Sequence, residues 1–105
     1  MNKYGAKRTY SQLCNRIFDS RAECLRGEEL RLLEMAGEIM DLEYQVRFIL
    51  SQSPRVTITV DFSYREKGKL IYEDSKGVLT RDFRTKMAWL KSSQGIDVTL
   101  TGGRR

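Results

Sequence analysis

Alternating apolar and polar positions predict strands over much of the chain from residue 42 onward. Residues 42–48 place Leu, Tyr, Val and Phe at every second position, which is typical of a strand with one buried face. Residues 56–64 begin with a β-branched run, residues 69–76 form a further β-like run, and residues 96–100 alternate again. The pattern therefore predicts three consecutive strands and a fourth near the end of the sequence.

Two other segments have helical spacing, and each begins with a suitable capping residue. Ser20 and Glu23 form a Ser-x-x-Glu capping box, and Gly37 is a suitable stop for the helix that follows. The apolar residues of this helix fall on one predicted face: Ala22, Leu25, Leu32, Leu33 and Ala36. Thr80 is a suitable N-cap for a second helix over residues 81–94. The order helix, three strands, helix, strand predicts an α/β fold of the α+β type, with a mixed sheet flanked by helices.

The length and the ends of the sequence predict a single domain with two basic extensions. With 105 residues the chain can build one hydrophobic core but not two. Residues 1–17 are basic and polar without a clear period, so we expect an N-terminal arm with one short strand at most. The domain itself would cover residues 18–100, and residues 101–105 would form a flexible basic tail.

Composition narrows the possible chemistry. The sequence has no histidine, which excludes Ser-His-Asp and Cys-His nucleophile systems, and its two cysteines, Cys14 and Cys24, lack the spacing of a zinc site. A net charge of +5 favours a polyanionic partner. No apolar run approaches the roughly 20 residues that cross a bilayer, and no signal peptide is recognisable. We therefore expect a cytoplasmic protein without membrane contact.

Two neighbouring predicted strands bring two acids together. If residues 67–68 form a two-residue hairpin loop, Glu66 pairs with Lys69, and counting back places Asp61 opposite Asp74. Side chains directly opposite each other have Cβ atoms about 4.5–5.5 Å apart, so two carboxylates there could bind one small cation.

Alternation along the second of these strands adds a lysine to the pair. It places Asp74 and Lys76 on one face and Ser75 on the other. Two acids and a lysine at one point are typical of metal-dependent phosphodiesterases. The alternative is that Asp61 is a polar strand residue and that Asp74 and Lys76 form an exposed ion pair, worth about 0–1 kcal/mol. Adjacent carboxylates repel each other unless a cation or proton lies between them, which favours the site.

The first helix offers two candidates for a further acid. Glu23 has a structural explanation as the capping glutamate, but it also lies about one turn before Gly27, where another backbone could approach closely. Glu29 projects into the predicted apolar stripe, where an unpaired carboxylate would be costly. Helical geometry leaves both candidates open.

Basic residues in the arm and in the second helix are candidate contacts to phosphate groups. They are Lys3, Lys7, Arg8, Arg81, Arg84 and Lys86. For the residues of the helix, the alternative is an ordinary solvated surface.

Several blocks along the chain carry a resemblance to a known family. They are residues 2–7, 18–23, 32–34 with 36–39, Gln45 with Phe48, 60–62 and 73–77. Together with the order of elements, these blocks resemble the PD-(D/E)XK nuclease superfamily, and more closely a small phage-type family described as Holliday-junction-resolvase-like. The resemblance covers nearly the whole chain. It implies a restriction-endonuclease-like core with the order helix, three strands, helix, strand.

The resemblance assigns roles to individual residues. Asp61 matches the acid of the first motif strand, Asp74 the second acid, and Lys76 the lysine of the motif. Glu23 matches the helix glutamate that related nucleases add to the metal shell, which favours it over the other helix candidate. Val60 stands where the superfamily name places proline, a departure that such families commonly tolerate.

The same resemblance implies a cofactor and a mechanism. Mg²⁺ or Mn²⁺ would be bound by Asp61 and Asp74, with the Ser75 carbonyl as a third ligand and the helix glutamate bound directly or through water. Lys76 would orient or help to deprotonate the attacking water. A shifted alignment would enlist Glu73 instead of Asp74, but strand alternation turns Glu73 away from Lys76.

The resemblance implies a metal-dependent endonuclease that hydrolyses DNA phosphodiesters and is selective for branched DNA such as a Holliday junction. It would act in phage recombination or packaging, in the host cytoplasm if the protein is phage-encoded. Symmetric cuts in two strands require two sites, so a homodimer is also expected. One alternative is a nuclease of the same fold that acts on flaps, nicks or duplex DNA. The other is a DNA-binding protein that keeps the fold without catalysis.

Overall fold

The computed structural model describes residues 7–75 and 79–101, which form a short hairpin, two helices and a mixed sheet. In chain order the elements are β1 (Thr9–Ser11), β2 (Arg16–Phe18), α1 (Arg21–Met35), β3 (Met40–Gln52), β4 (Arg55–Glu66), β5 (Lys69–Ser75), α2 (Arg81–Gln94) and β6 (Val98–Thr101). The main sheet has the order β3-β4-β5-β6, in which the first three strands are antiparallel and β6 runs parallel to β5. The prediction of an α+β fold with a mixed sheet is confirmed.

Both helices begin at the predicted caps. Ser20 Oγ accepts a hydrogen bond from the backbone N–H of Glu23 (3.0 Å), and Thr80 Oγ1 accepts one from that of Phe83 (3.1 Å). α2 ends at Gly95, whose φ of 71° lies in the left-handed region that favours glycine. The predicted span of α2 is confirmed. Neither helix in the described part of the chain is long and apolar enough to cross a membrane.

The predicted apolar face of α1 is wrong for most of its residues, since only Leu33 of the five packs against the core. Leu25 and Leu32 are 60% and 54% exposed. The buried residues of the helix are instead Glu23, Cys24, Gly27 and Leu30. The reason is close packing at Gly27, where a Cβ would lie 2.7 Å from Cζ of Phe18. The helix can approach this ring closely only at a residue without a side chain, so the side of Gly27 is buried and the two leucines face solvent.

Residues 9–18 form a hairpin, whereas the sequence predicts an arm with at most one strand. β1 and β2 pair antiparallel, with Thr9 opposite Phe18. Phe18 is buried and packs with Leu30 and Phe62 in the hydrophobic cluster under α1. Cys14, which lies within the predicted arm, also packs against this cluster, so part of that arm contributes to the core.

The two helices cover opposite faces of the sheet. In β5, Ile71 packs against the cluster under α1. The ring centroid of the next residue, Tyr72, lies 5.0 Å from that of Phe48. Phe48 belongs to a second cluster, which includes Leu90 of α2. Because successive side chains of a strand point to opposite faces, α1 and α2 lie on different sides of the sheet.

β3 and β4 each change the face to which their apolar side chains point. Tyr44 and Phe62 lie opposite each other and pack in the cluster under α1. Phe48 and Ile58 also lie opposite each other, and each is four positions from the first pair along its strand. They pack, however, in the cluster under α2. Regular strands would place both pairs on one face, so the change occurs between them. Gln45, with a φ of 53°, lies in this interval.

Candidate functional site

The hairpin between β4 and β5 has the predicted register. Glu66 lies opposite Lys69, and the loop residues 67–68 have positive φ values of 53° and 78°. Positive φ at both positions is typical of a type I′ turn, whose twist matches that of the flanking strands. The pairing continues to Phe62 opposite Glu73. The predicted two-residue loop and its register are therefore confirmed.

Asp61 and Asp74 meet just beyond the last of these pairs. The backbone N–H of Asp61 donates to Asp74 Oδ1 (2.9 Å), and the backbone N–H of Ser75 donates to Asp61 Oδ2 (2.8 Å). Each carboxylate thus accepts a hydrogen bond from the opposite strand, where a regular ladder would supply a carbonyl oxygen. The structure brings the two acids together at the end of the hairpin and orients both of them.

Glu23 reaches the same place from α1. Its side chain is buried, and its Oε2 accepts a hydrogen bond from Gln45 Nε2 (3.0 Å). The same nitrogen lies 3.4 Å from Asp61 Oδ1. The Glu23 carboxyl group therefore faces the site, and the capping box contributes to the helix end through the hydroxyl of Ser20.

Glu29 lies away from the aspartates. Its side chain is 67% exposed and pairs with Arg26, with 2.8 Å between Oε1 and Nη1. The expectation that Glu29 projects into a buried apolar stripe is wrong, because that side of α1 faces solvent. Of the two candidate acids in the helix, the structure brings Glu23 to the site.

Negative charge accumulates around Glu23. Burial, followed by the charges of Asp61, Asp19 and Asp74, raises the pKa of Glu23 from 4.5 to about 8. Near neutral pH the Glu23 carboxyl group therefore binds a proton, which lowers the repulsion among these acids. A divalent cation would lower the same repulsion.

The chemistry of the acids fits a hard divalent cation. Carboxylate oxygens are the ligands that Mg²⁺ and Mn²⁺ prefer in proteins. Within residues 7–75 and 79–101, no three Asp, Glu, His or Cys side chains already have the arrangement of a metal-binding group. Glu23, Asp61 and Asp74 are the residues that could hold such an ion after a change of side-chain orientation.

Glu73, the neighbour of Asp74, belongs to a different network. Both of its carboxylate oxygens accept hydrogen bonds from Arg26, and each accepts one more, from Tyr64 or Thr101, over 2.5–3.0 Å. Burial alone would raise the pKa of Glu73, but the hydrogen bonds from Arg26, Tyr64 and Thr101 outweigh it and hold the pKa below its ordinary value. Glu73 joins α1 to the sheet and is not available as a ligand.

The basic residues named from the sequence lie at several places. Lys76 and Lys3 fall outside the described residues. Lys86 pairs with Asp82 across one turn of α2, with 3.3 Å between Nζ and Oδ2. The exposed basic residues among the candidates are Lys7, Arg8, Arg81 and Arg84. α2, which carries three of the six candidates, lies on the sheet face opposite α1.

Sequence reasoning assigned no role at this site to Gln45, or to Asp19, whose charge acts on Glu23. Gln45 stands opposite Asp61, because the pairs on either side of it are in register. A known register between β3 and β4 would have predicted this pairing. The sequence of residues 51–55 does not define the length of the turn, so the register could not be derived. The positive φ of Gln45 has no signal in the sequence, since glutamine does not favour the left-handed region.

In the absence of divalent cations, the protein is expected to lose stability as the pH rises from about 4.5 to about 8. The folded pKa of Glu23 lies above its unfolded value, so unfolding releases a proton in this range. The stabilisation is complete below the unfolded pKa and is lost as the pH rises through the folded pKa. Glu73, whose pKa is lowered, makes the stability depend on pH only at more acid pH. Melting temperatures in EDTA across this range measure the effect.

Glu23→Gln provides the control, because its side chain does not titrate. Its melting temperature should depend less on pH over the same range than that of the wild type. Equal slopes in the two proteins would contradict the assignment of this pH dependence to Glu23.

One comparison with known proteins identifies a family. No curated protein matches the chain, and no solved structure matches it. The model of one protein family matches residues 1–101, which is nearly the whole sequence. The chain therefore belongs to the family described as Protein of unknown function (DUF1064).

Proposed function

We propose that this protein is a metal-dependent endodeoxyribonuclease that hydrolyses DNA phosphodiesters and is selective for branched DNA. The observation that carries the proposal is the meeting of Glu23, Asp61 and Asp74, which come from α1, β4 and β5. Three buried or half-buried acids at one point lower stability when they are ionised, because of burial and mutual repulsion, and a bound cation would offset this cost. The element order and the position of the helices on opposite sheet faces also fit the restriction-endonuclease-like core that the sequence resembles.

The proposed cation is Mg²⁺ or Mn²⁺. The carboxylates of Asp61 and Asp74, the backbone carbonyl of Ser75 and the carboxylate of Glu23 would hold it. When bound, such an ion lowers the pKa of a water molecule and offsets the negative charge that develops on the phosphate. The hydrogen bonds from the backbone keep the carboxylates of Asp61 and Asp74 together at the end of the hairpin, and binding of the ion would require a change in their orientation.

The remaining roles belong to basic residues. Lys76, which follows Ser75 in the chain, would orient the attacking water and stabilise the developing negative charge. Phosphate groups of the DNA would be bound by side chains of the N-terminal segment and of α2: Lys3, Lys7, Arg8, Arg81, Arg84 and Lys86. The net charge of +5 supports a polyanionic substrate. A homodimer would provide the two sites that symmetric cleavage of a four-way junction requires, in the host cytoplasm if the protein is phage-encoded.

The test compares three labelled DNAs of matched sequence: a four-way junction, a flap and a linear duplex. Each is incubated with Mg²⁺, Mn²⁺ or EDTA and with the wild type, Glu23→Gln or Glu29→Gln. We expect paired cuts in the junction that require the metal, are lost in Glu23→Gln and persist in Glu29→Gln. Glu29 is the matched control, because it is an acid of the same helix with a 67% exposed side chain.

Other outcomes would change the proposal in defined ways. Equal cutting of all three DNAs would keep the nuclease chemistry and remove the selectivity for branched DNA. Binding of DNA without cleavage in either metal would overturn the proposed activity and favour a DNA-binding protein without catalysis. Equal loss of cleavage in Glu23→Gln and Glu29→Gln would contradict the placement of the site.

A further inference from the structure

Gln45 lies in the candidate site, and the family resemblance, although it includes this residue, assigns it no role there. It lies in β3 opposite Asp61, in the interval where β3 and β4 change face. Gln45 is exposed, so the site is open to solvent on the side of β3. The acids themselves come from α1, β4 and β5, and Gln45 adds a fourth element, β3.

The side-chain amide of Gln45 lies between two acids. Nε2 donates to Glu23 Oε2 over 3.0 Å and lies 3.4 Å from Asp61 Oδ1. Because both neighbours are carboxyl groups, which accept hydrogen bonds when ionised, the NH2 end of the amide faces them rather than the carbonyl oxygen. One nitrogen therefore links a helix acid to a strand acid, and the two would repel each other once Glu23 loses its proton.

The backbone of Gln45 is in a conformation that glutamine does not favour. Its φ of 53° lies in the left-handed region, which asparagine and aspartate enter more readily because their short side chains form local hydrogen bonds. Such conformations persist where the surrounding structure enforces them, and they are concentrated at functional sites. Glutamine at this position is explained by the reach of its side chain, which is one methylene longer than that of asparagine.

We propose that Gln45 is a positioning residue that sets the metal affinity of the site, because its amide holds the carboxyl oxygens of Glu23 and Asp61 near each other. This inference rests on the proposed function. Residues that orient metal-binding side chains typically change the affinity by about 10- to 100-fold when they are replaced. Gln45 does this by donating hydrogen bonds to both acids, which lowers the repulsion that would otherwise separate them.

The test measures Mn²⁺ binding by calorimetry, which does not depend on DNA cleavage. The proteins are the wild type, Gln45→Asn and Gln45→Met. Asparagine suits the positive φ but withdraws the donor, and methionine keeps the length of the side chain but has no donor. We expect the Kd for Mn²⁺ to rise by about 10- to 100-fold in both variants. The melting temperature of Gln45→Asn should equal or exceed that of the wild type.

This combination separates positioning from a purely structural role. A structural role of the backbone alone predicts unchanged Mn²⁺ affinity in Gln45→Asn, since that variant relieves the conformation. Cleavage provides a second measurement: Gln45→Asn should need more Mn²⁺ for half-maximal cleavage but reach a similar maximal rate at saturating metal.

Each negative outcome has one meaning. Wild-type Mn²⁺ affinity in both variants would overturn the role of Gln45 and leave the proposed nuclease function intact. A wild-type protein that binds no Mn²⁺ would overturn the metal-dependent function, and the role of Gln45 with it.

Discussion

Replacing Asp74 by asparagine is expected to reduce metal-dependent DNA cleavage by at least about 1,000-fold without unfolding the protein. Asparagine keeps an oxygen that can accept the hydrogen bond from the backbone N–H of Asp61, so the end of the hairpin should be retained. What it removes is the negative charge of a proposed metal ligand. The loss of several kcal/mol of charge stabilisation corresponds to about three powers of ten in rate.

The same variant should not be less stable than the wild type near pH 8. The charge of Asp74 is one of the causes that raise the pKa of Glu23, so its removal lowers the repulsion in the cluster. A variant that is inactive but has an equal or higher melting temperature is typical of a functional site whose residues lower the stability of the protein. Single-turnover cleavage and thermal unfolding in EDTA measure the two effects separately.

Asp97→Asn is the matched control, since the side chain of Asp97 is 77% exposed and pairs with Lys91, which is not among the proposed DNA contacts. It should cleave DNA at nearly the wild-type rate. Cleavage by Asp74→Asn within tenfold of the wild-type rate would contradict the proposed role of Asp74, as would a large loss of stability in that variant.

Glu73→Gln is expected to have the opposite effect, a large loss of stability. Glu73 is wholly buried and accepts hydrogen bonds from Arg26, Tyr64 and Thr101. In this variant Arg26 loses its buried anionic partner and keeps only the exposed Glu29; because Arg26 is itself partly exposed, we expect the lower end of the range for a broken buried ion pair, about 3 kcal/mol of unfolding free energy. Urea unfolding of the wild type and the variant would measure the difference.

A pair of further variants tests the cause of this loss. Thr101→Val removes one neutral donor from the same carboxylate and should cost only about 1 kcal/mol. The double variant Arg26→Met with Glu73→Met removes both charges and should be more stable than Glu73→Gln alone. If the double variant were the least stable of the three, the buried charge would not be the cause.

Glu73 and Asp74 illustrate how far the sequence predicts this site. Their separation into two environments follows from strand alternation, and the loop at residues 67–68 fixes the register that brings Asp74 to Asp61. Both inferences depend only on neighbours within one hairpin. Local rules of strand geometry are sufficient for such contacts.

The parts that the sequence did not predict depend on packing between distant elements. The buried side of α1 is determined by the contact of Gly27 with Phe18, which comes from a hairpin that residues 1–17 did not indicate. The hydrophobic pattern alone favoured the side of Leu25 and Leu32, which faces solvent. Gln45 was missed for a similar reason, since its role requires both the β3–β4 register and the approach of α1.

The hairpin of β1 and β2 limits how the chain can be shortened. A truncated protein that starts at residue 18, the predicted beginning of the domain, would keep Phe18 but lose β1 and the first two residues of β2. The Phe18 ring would then lose its support next to Leu30 and Phe62, and apolar surface would become exposed. A shorter version for crystallisation should therefore begin before Thr9, and an affinity tag belongs upstream of the same point.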